Sequence, residues 1–81
     1  MFLEIITLDR KIFEGEVDCI VVPAKEGELT ILPNHIPLIS PLKKGKIKVK
    51  KEREEKIFEI EEGILRVGKE KVNILIVDYG S

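Results

Sequence analysis

The chain contains one cysteine, one histidine and no tryptophan among its 81 residues. Cys19 alone cannot form an internal disulfide, and a chain of this kind is compatible with a reducing cytosol. Cys19 and His35 are the only thiol and imidazole, and the carboxylates are spread along the chain, so the ligand spacing of zinc and calcium sites is not met. The sequence therefore predicts neither a disulfide framework nor a metal site.

Long apolar runs and an excess of one charge are also missing. No apolar stretch approaches the length of a transmembrane helix, and the N-terminus lacks the basic and apolar regions of a signal peptide. Fourteen basic residues against fifteen acidic ones give a net charge of −1, so no overall field favours nucleic acid or an anionic membrane. If this protein meets a membrane, we expect another protein to bring it there.

Groups that carry catalysis are sparse. The chain has no GxxxxGK[ST] or GxGxxG loop, so we expect no nucleotide cofactor. A nucleophile such as Ser40, Ser81 or Cys19 would need a base, and nothing in the proline-rich segment around His35 orients its imidazole. The sequence therefore predicts a protein that is not an enzyme by itself and binds no cofactor.

Apolar and polar residues alternate with period two along most of the chain, and no amphipathic helix of useful length is visible. The early strands are predicted at Phe2–Leu8, Val17–Val22 and Leu29–Leu32. The second of these is apolar on both faces, so we expect it to be fully buried and to end at Pro23. Short strands divided by Gly, Pro or charged turns predict a single all-β domain over residues 1–81, a β-sandwich or flattened barrel.

Two hairpins are predicted in the second half. In the first, Gly45–Lys50 and Lys56–Glu61 flank a loop at Glu52–Glu55. The expected register pairs apolar residues on the inner face and opposite charges on the outer face, as Ile47 with Ile60, Val49 with Phe58, Lys46 with Glu61 and Lys48 with Glu59. In the second hairpin, Leu65 is expected opposite Ile74 and Val67 opposite Val72.

The lysines between Lys43 and Lys51 raise the alternative of a single-strand nucleic-acid surface on a small barrel. The expected register places glutamates opposite Lys46 and Lys48 and turns Phe58 inward, away from any base. A solvated, charge-paired strand face is therefore the preferred interpretation, and no nucleic-acid partner is expected.

Two prolines flank Asn34 and His35, which makes the segment Pro33–Pro37 stiff. Asn34 tolerates the left-handed backbone conformation that a tight turn needs. A rigid loop that displays His35 between apolar residues suits a docking surface, and it equally suits a structural turn with a hydrogen-bonded histidine. The residues alone leave both interpretations open.

The segment Val21–Leu38, with its Glu-Gly-Glu-Leu and Pro-Asn-His-Ile-Pro-Leu motifs, resembles the signature of the epsilon subunit of F-type ATP synthase. Leu42–Ile47, Glu62–Val67 and Val72–Leu75 match the family's later elements in the same order. The resemblance covers essentially the whole chain. Thr30, Asn34 and Glu62 depart from it, because glycines are common in the family at these positions.

The resemblance implies a domain of about ten strands, a β-sandwich or flattened barrel of two mostly antiparallel sheets. It also implies a non-catalytic part of the bacterial central stalk, which binds the gamma subunit and the c-ring and couples ion-driven rotation to ATP synthesis. Such a subunit is peripheral at the cytoplasmic face of the inner membrane. The partner-binding residues it implies are Glu28 and Leu29 towards the c-ring, and Pro33, Asn34, His35 and Pro37 near gamma.

Typical members of the family continue into a two-helix hairpin after the β domain, whereas this sequence ends at Ser81. We therefore expect no C-terminal helical domain in this chain and no inhibition of ATP hydrolysis by such a hairpin. Two other classes of protein stay open from the residues alone. They are a generic protein-binding β module and an oligonucleotide-binding barrel.

Overall fold

The computed structural model describes residues 1–78, and the prediction of an all-β fold is confirmed. Within this range the chain forms β1 (Phe2–Ile6), β2 (Lys11–Glu16), β3 (Cys19–Ala24), β4 (Gly27–Ile31), β5 (Leu38–Leu42), β6 (Gly45–Lys51), β7 (Glu54–Ile60), β8 (Glu62–Val67) and β9 (Lys71–Asp78). None of the described residues is helical, so no helix among them is long and apolar enough to cross a membrane.

The strands form two layers that are parts of one curled sheet. One layer has the order β4-β3-β6-β7 and the other β2-β1-β9-β8-β5. Backbone pairing joins the layers at Ala24 of β3 and Leu42 of β5. Among the described strands only the β1–β9 pair is parallel, which confirms the mostly antiparallel arrangement. The described residues contain nine strands, where about ten were expected.

The core lies between the layers and is built by strand alternation. In β8, for example, Leu65 and Val67 point inward and are buried, while Ile64 and Arg66 point outward. Both layers contribute to one cluster, which consists of Leu3, Ile5, Val17, Ile20, Val22, Ala24, Ile31, Leu42, Ile47, Val49, Ile60, Leu65, Val67, Val72, Ile74 and Ile76. No polar or charged residue of the described part is buried, so apolar packing holds the layers together.

Pro23 was expected to end the strand at residues 17–22, and this prediction is wrong. The strand begins at Cys19 and continues through Pro23 to Ala24. Along one edge, β3 pairs with β6 up to Val21 and then with β5 at Ala24, so the missing N–H of Pro23 falls where the partner strand changes. The strand is also less buried than expected, because Cys19 and Val21 are half-buried on its outer face.

The strand β4 runs over Gly27–Ile31 where Leu29–Leu32 was predicted. The assignments of β1, β2 and β5 differ from the prediction for local reasons. β1 ends at Ile6 and not at Leu8, because the Thr7 hydroxyl accepts the backbone N–H of Arg10 at 3.1 Å and closes a turn. The strands β2 and β5 were not predicted. Lys, Glu and Gly interrupt the apolar pattern of β2, and Ser40 and Pro41 interrupt that of β5.

The predicted register of the β6–β7 hairpin is wrong by two residues, although its inner and outer faces are correct. The observed partners are Ile47 with Phe58, Val49 with Lys56, Lys46 with Glu59 and Lys48 with Ile57. The hairpin turns at Glu52 and Arg53 alone, with Glu52 at φ 55°, and not through a longer loop. The Asp18 carboxylate stabilises this turn by accepting the backbone N–H of Glu52 at 2.6 Å.

The β8–β9 hairpin has the predicted register. Leu65 lies opposite Ile74, and Val67 lies opposite Val72. The turn closes through a hydrogen bond from the Gly68 N–H to the Lys71 carbonyl at 2.9 Å.

Phe58 is half-buried and points toward the core, as expected. Its ring meets that of Phe13 edge to face, with 6.1 Å between the ring centroids. Phe13 lies on β2 and Phe58 on β7, and these strands end their respective layers. The aromatic contact therefore bridges the open edges of the two layers.

The backbone of β6 approaches the Pro23 ring of β3 closely at Gly45. A Cβ at Gly45 would lie 2.7 Å from the Pro23 Cβ, and the rigid proline ring cannot move aside. We expect Gly45→Ala to destabilise the domain by about 1–3 kcal/mol through overpacking. The matched control is Gly15→Ala, whose Cβ would meet only the Phe13 ring at 4.0 Å. Chemical denaturation of the two variants checks this, and equal stabilities would contradict the close approach.

An ion-pair network crosses the outer face of the five-stranded layer. The Glu4 carboxylate lies 3.2 Å from the Lys11 ammonium and 3.3 Å from the Lys71 ammonium. Hydrogen bonds from Lys11 and then Lys71 hold the pKa of Glu4 below its ordinary value of 4.5. The Glu14 carboxylate, followed by Glu4, raises the pKa of Lys11.

Because the folded-state pKa of Glu4 is depressed, its stabilising effect is present above the ordinary pKa and is lost as the pH falls through the folded-state value. We therefore expect Glu4→Gln to lower the melting temperature at neutral pH and to match the wild type in acid. Melting curves against pH check this. Glu59→Gln is the control, since Glu59 makes no ion pair within residues 1–78. A difference between Glu4→Gln and wild type that persists in acid would argue against the network.

Candidate partner-binding surfaces

The segment after β4 forms the tight turn that its sequence predicts. The His35 N–H donates to the Leu32 carbonyl at 3.2 Å, with Pro33 and Asn34 at the two central positions. Asn34 has φ 69°, so the left-handed conformation predicted for it is confirmed. Proline followed by a residue with positive φ is the pattern of a type II turn. The turn is therefore stiff, and Pro33, Asn34 and Pro37 are all exposed on it.

His35 is half-buried at one end of the domain. Its Nδ1 donates to the Ile36 carbonyl at 2.8 Å, since a carbonyl can only accept. The imidazole lies in a groove that also includes Met1, Lys69 and Val72. The Ser40 hydroxyl donates to the Pro41 carbonyl at 3.1 Å and does not engage this histidine.

The residues that the structure describes form no candidate metal centre. Residues 1–78 contain no group of three or more His, Cys, Asp or Glu side chains placed to hold a metal ion. The candidate nucleophile Ser81 lies outside the described residues.

Glu28 lies near the end of β4 that is opposite the His35 turn, and Leu29 lies at the middle of the strand. They follow the two-residue turn Lys25–Glu26, after which Gly27 adopts φ 139°. Glu28 is exposed, while Leu29 is half-buried against the core. The structure therefore separates the predicted partner-binding residues into two groups, one at each end of β4.

Sequence reasoning missed an apolar row on the outer face of the five-stranded layer. Residues from four strands stand side by side in register across β5, β8, β9 and β1, and they are Pro41, Ile64, Leu75 and Ile6. Ile64 is 43% exposed, and Ile39, which adjoins the row on β5, is 72% exposed. The sequence does show apolar residues at positions of these strands that point outward. Their alignment in one row depends on the order of the strands, which the sequence does not show.

A mixed-charge groove lies on the outer face of the other layer, and sequence reasoning missed it too. It is lined by Pro23, Glu28, Lys43, Gly45, Lys46 and Lys48. Lys48 lies opposite Ile57 and Lys46 opposite Glu59, so the expected pairs Lys48–Glu59 and Lys46–Glu61 are absent. Neither lysine has a carboxylate oxygen of residues 1–78 within 4.0 Å of its ammonium nitrogen.

Known proteins share the sequence and the fold of this chain. Residues 1–78 match the model of the family described as "ATP synthase, Delta/Epsilon chain, beta-sandwich domain". The ATP synthase epsilon chain of Alkalihalophilus pseudofirmus is 41% identical over 73 residues, which are 90% of this chain and 55% of the relative. That of Caulobacter vibrioides is 36% identical over 75 residues, which are 93% of this chain and 87% of the relative. The chain thus spans about half the length of the first relative and most of the second.

Two solved structures have the same fold. A chain in the cryo-EM structure of the Euglena gracilis mitochondrial ATP synthase, OSCP/F1/c-ring, superposes with a TM-score of 0.87 at 26% identity, over 96% of this chain and 51% of that one. A chain in the central stalk/c-ring structure of the Tetrahymena thermophila mitochondrial ATP synthase gives 0.81 at 17% identity, over 99% and 65%. The resemblance read from the motifs is confirmed, and this chain belongs to the family of ATP synthase delta/epsilon chain beta-sandwich domains.

Proposed function

We propose that this chain acts as the epsilon-type subunit of an ATP synthase central stalk, with one surface for the gamma subunit and another for the c-ring. In this role it is a non-catalytic part of the complex that couples proton-driven rotation to ATP synthesis. It is peripheral, held at the cytoplasmic face of the bacterial inner membrane by the complex. The observation that carries the proposal is the family match over the whole described range, together with two separate exposed surfaces on that fold.

The gamma surface is proposed to run from the His35 turn along β5 to the apolar row. Ile36 and Ile39 are 73% and 72% exposed and connect these two features along the chain. An exposed apolar patch on a small domain marks an interaction site.

The c-ring surface is proposed to lie around Glu28. Its carboxylate stands on the hairpin between β3 and β4, on the outer face of the layer that does not carry the apolar row. Contact with two partners through two different layers lets a single rigid core connect them. A subunit that transmits torque needs such stiffness, and a close-packed apolar core provides it.

The gamma surface is tested by a charge placed at its centre. We expect Ile39→Asp to weaken binding to a catalytic core that contains gamma and lacks this subunit by at least about tenfold, because a central apolar anchor dominates an interface. Ile57→Asp is the matched control, since Ile57 is 50% exposed on the other layer. Titration calorimetry measures both affinities. Equal losses in the two variants would exclude β5 from the gamma surface.

The c-ring surface is tested by reversing one charge. We expect Glu28→Lys to reduce ATP-driven proton pumping by the reconstituted complex while ATP hydrolysis and the melting temperature stay close to wild type, since an exposed charge adds little to stability. Glu54→Lys, beside the β6–β7 turn, is the matched control, because Glu54 is exposed and lies outside both proposed surfaces. Unchanged pumping in the Glu28 variant would remove this residue from the c-ring surface.

A further inference from the structure

The two strands that end the layers, β2 and β7, meet at a seam without backbone pairing. Within residues 1–78, β2 pairs only with β1 and β7 pairs only with β6. No residue of β2 is fully buried, and Ile60 is the only buried residue of β7. At the corner between β3 and β5, by contrast, the backbones of Ala24 and Leu42 pair and the Lys43 N–H donates to the Pro23 carbonyl at 2.9 Å. The β2–β7 seam is therefore held together by side chains.

Both strands of the seam contain the same four residues in the same order. The tetrapeptide Lys-Ile-Phe-Glu occurs at Lys11–Glu14 in β2 and at Lys56–Glu59 in β7. In each copy the phenylalanine is half-buried against the core and lies opposite a fully buried isoleucine of the neighbouring strand. These pairs are Phe13 with Ile5 and Phe58 with Ile47. Each strand therefore turns its one aromatic ring inward, and the two rings face each other.

Three side chains meet across the seam. The Phe13 and Phe58 rings pack edge to face, with 6.1 Å between their centroids and an angle of 68° between their planes. The Lys56 ammonium lies 5.4 Å from the centroid of the Phe13 ring and makes no ion pair within residues 1–78. An edge-to-face pair and a cation over a ring face both attract. The contact thus links β7 to β2 through two attractions that share one ring.

We infer that the β2–β7 seam is the place at which this domain opens, and that Phe13, Phe58 and Lys56 form the latch that keeps it closed. In the open state β2 and β7 separate from each other, while the corner at Ala24 and Leu42 stays paired. Local opening of this kind takes place where few buried side chains attach a strand. The latch joins residues of this chain only, so it does not depend on the proposed function.

The charges along the two edges favour a seam that closes on itself over one that accepts a strand from another chain. Four of the seven residues of β7 and three of the six residues of β2 are charged. Lysine and other charged side chains on an edge strand oppose pairing with a further strand. The aromatic latch therefore closes the seam where backbone pairing does not.

The test is amide hydrogen exchange of the full chain, followed residue by residue by NMR under conditions in which the rate reports the equilibrium of opening. In the wild type we expect the hydrogen-bonded amides of β2 and β7 to exchange through an opening of lower free energy than those of β8 and β9. We expect Phe58→Leu to speed exchange in β2 by roughly fivefold, and Phe13→Leu to do the same in β7, because either change removes the ring pair. This effect on the opposite strand distinguishes a latch from side chains that stabilise only their own strands.

The control for global stability is Ile74→Val, which changes a fully buried residue of β9. We expect it to speed exchange in β8 and β9 and to leave β2 and β7 close to wild type, because its packing is kept when only the seam opens. Equal acceleration of all four strands by Ile74→Val would overturn the inference, since the seam would then open only by global unfolding. Wild-type exchange in β2 of Phe58→Leu and in β7 of Phe13→Leu would overturn it too.

A milder change keeps the test decisive if both phenylalanine variants fail to fold. Lys56 is exposed, so Lys56→Gln removes the cation over the Phe13 ring and leaves the core intact. We expect it to speed exchange in β2 by roughly twofold. Lys46→Gln, on the outer face of the same hairpin, is the matched control and should leave β2 unchanged. Equal exchange in β2 of the two lysine variants would overturn the latch.

Discussion

The arrangement of the domain depends on the close approach of the Gly45 backbone to the Pro23 ring. At this place β3 stops pairing with β6 and begins to pair with β5, and the sheet passes from one layer to the other. The Pro23 carbonyl remains satisfied because it accepts the Lys43 N–H at 2.9 Å. A residue without an N–H and a residue without a side chain thus make possible a corner that most other residue pairs would obstruct. The floor of the mixed-charge groove and the position of the β3–β4 hairpin both follow from it.

Local chemistry made much of this fold predictable. The β8–β9 register follows from alternation and a tight turn, and the conformation of Asn34 follows from its place after a proline. In the β6–β7 hairpin the faces were predictable, because alternation has period two, but the register was not. The turn length there depends on Asp18, which lies 34 residues before Glu52. The apolar row was not predicted for a similar reason. Its residues become neighbours only through the order of four strands.

The two candidate surfaces differ in physical character as well as position. The row around Ile64 offers apolar area, which favours a lasting contact that excludes water. The groove around Glu28 offers exposed charges, which act over a longer range and weaken with salt. Because apolar packing joins the layers, a force applied to one surface is carried to the other through the core.

The hydrogen bond between Asp18 and Glu52 also has a consequence for how the chain folds. A hairpin usually fixes its own turn, and it can form before the rest of a sheet. Here the acceptor that stabilises the turn comes from the residue just before β3, and the Asp18 N–H binds the Lys50 carbonyl at 2.8 Å. The β6–β7 turn therefore gains this hydrogen bond only when β3 has docked on β6. This contact joins residues 34 positions apart, so the turn depends on a non-local closure whose entropic cost a self-contained hairpin turn does not have.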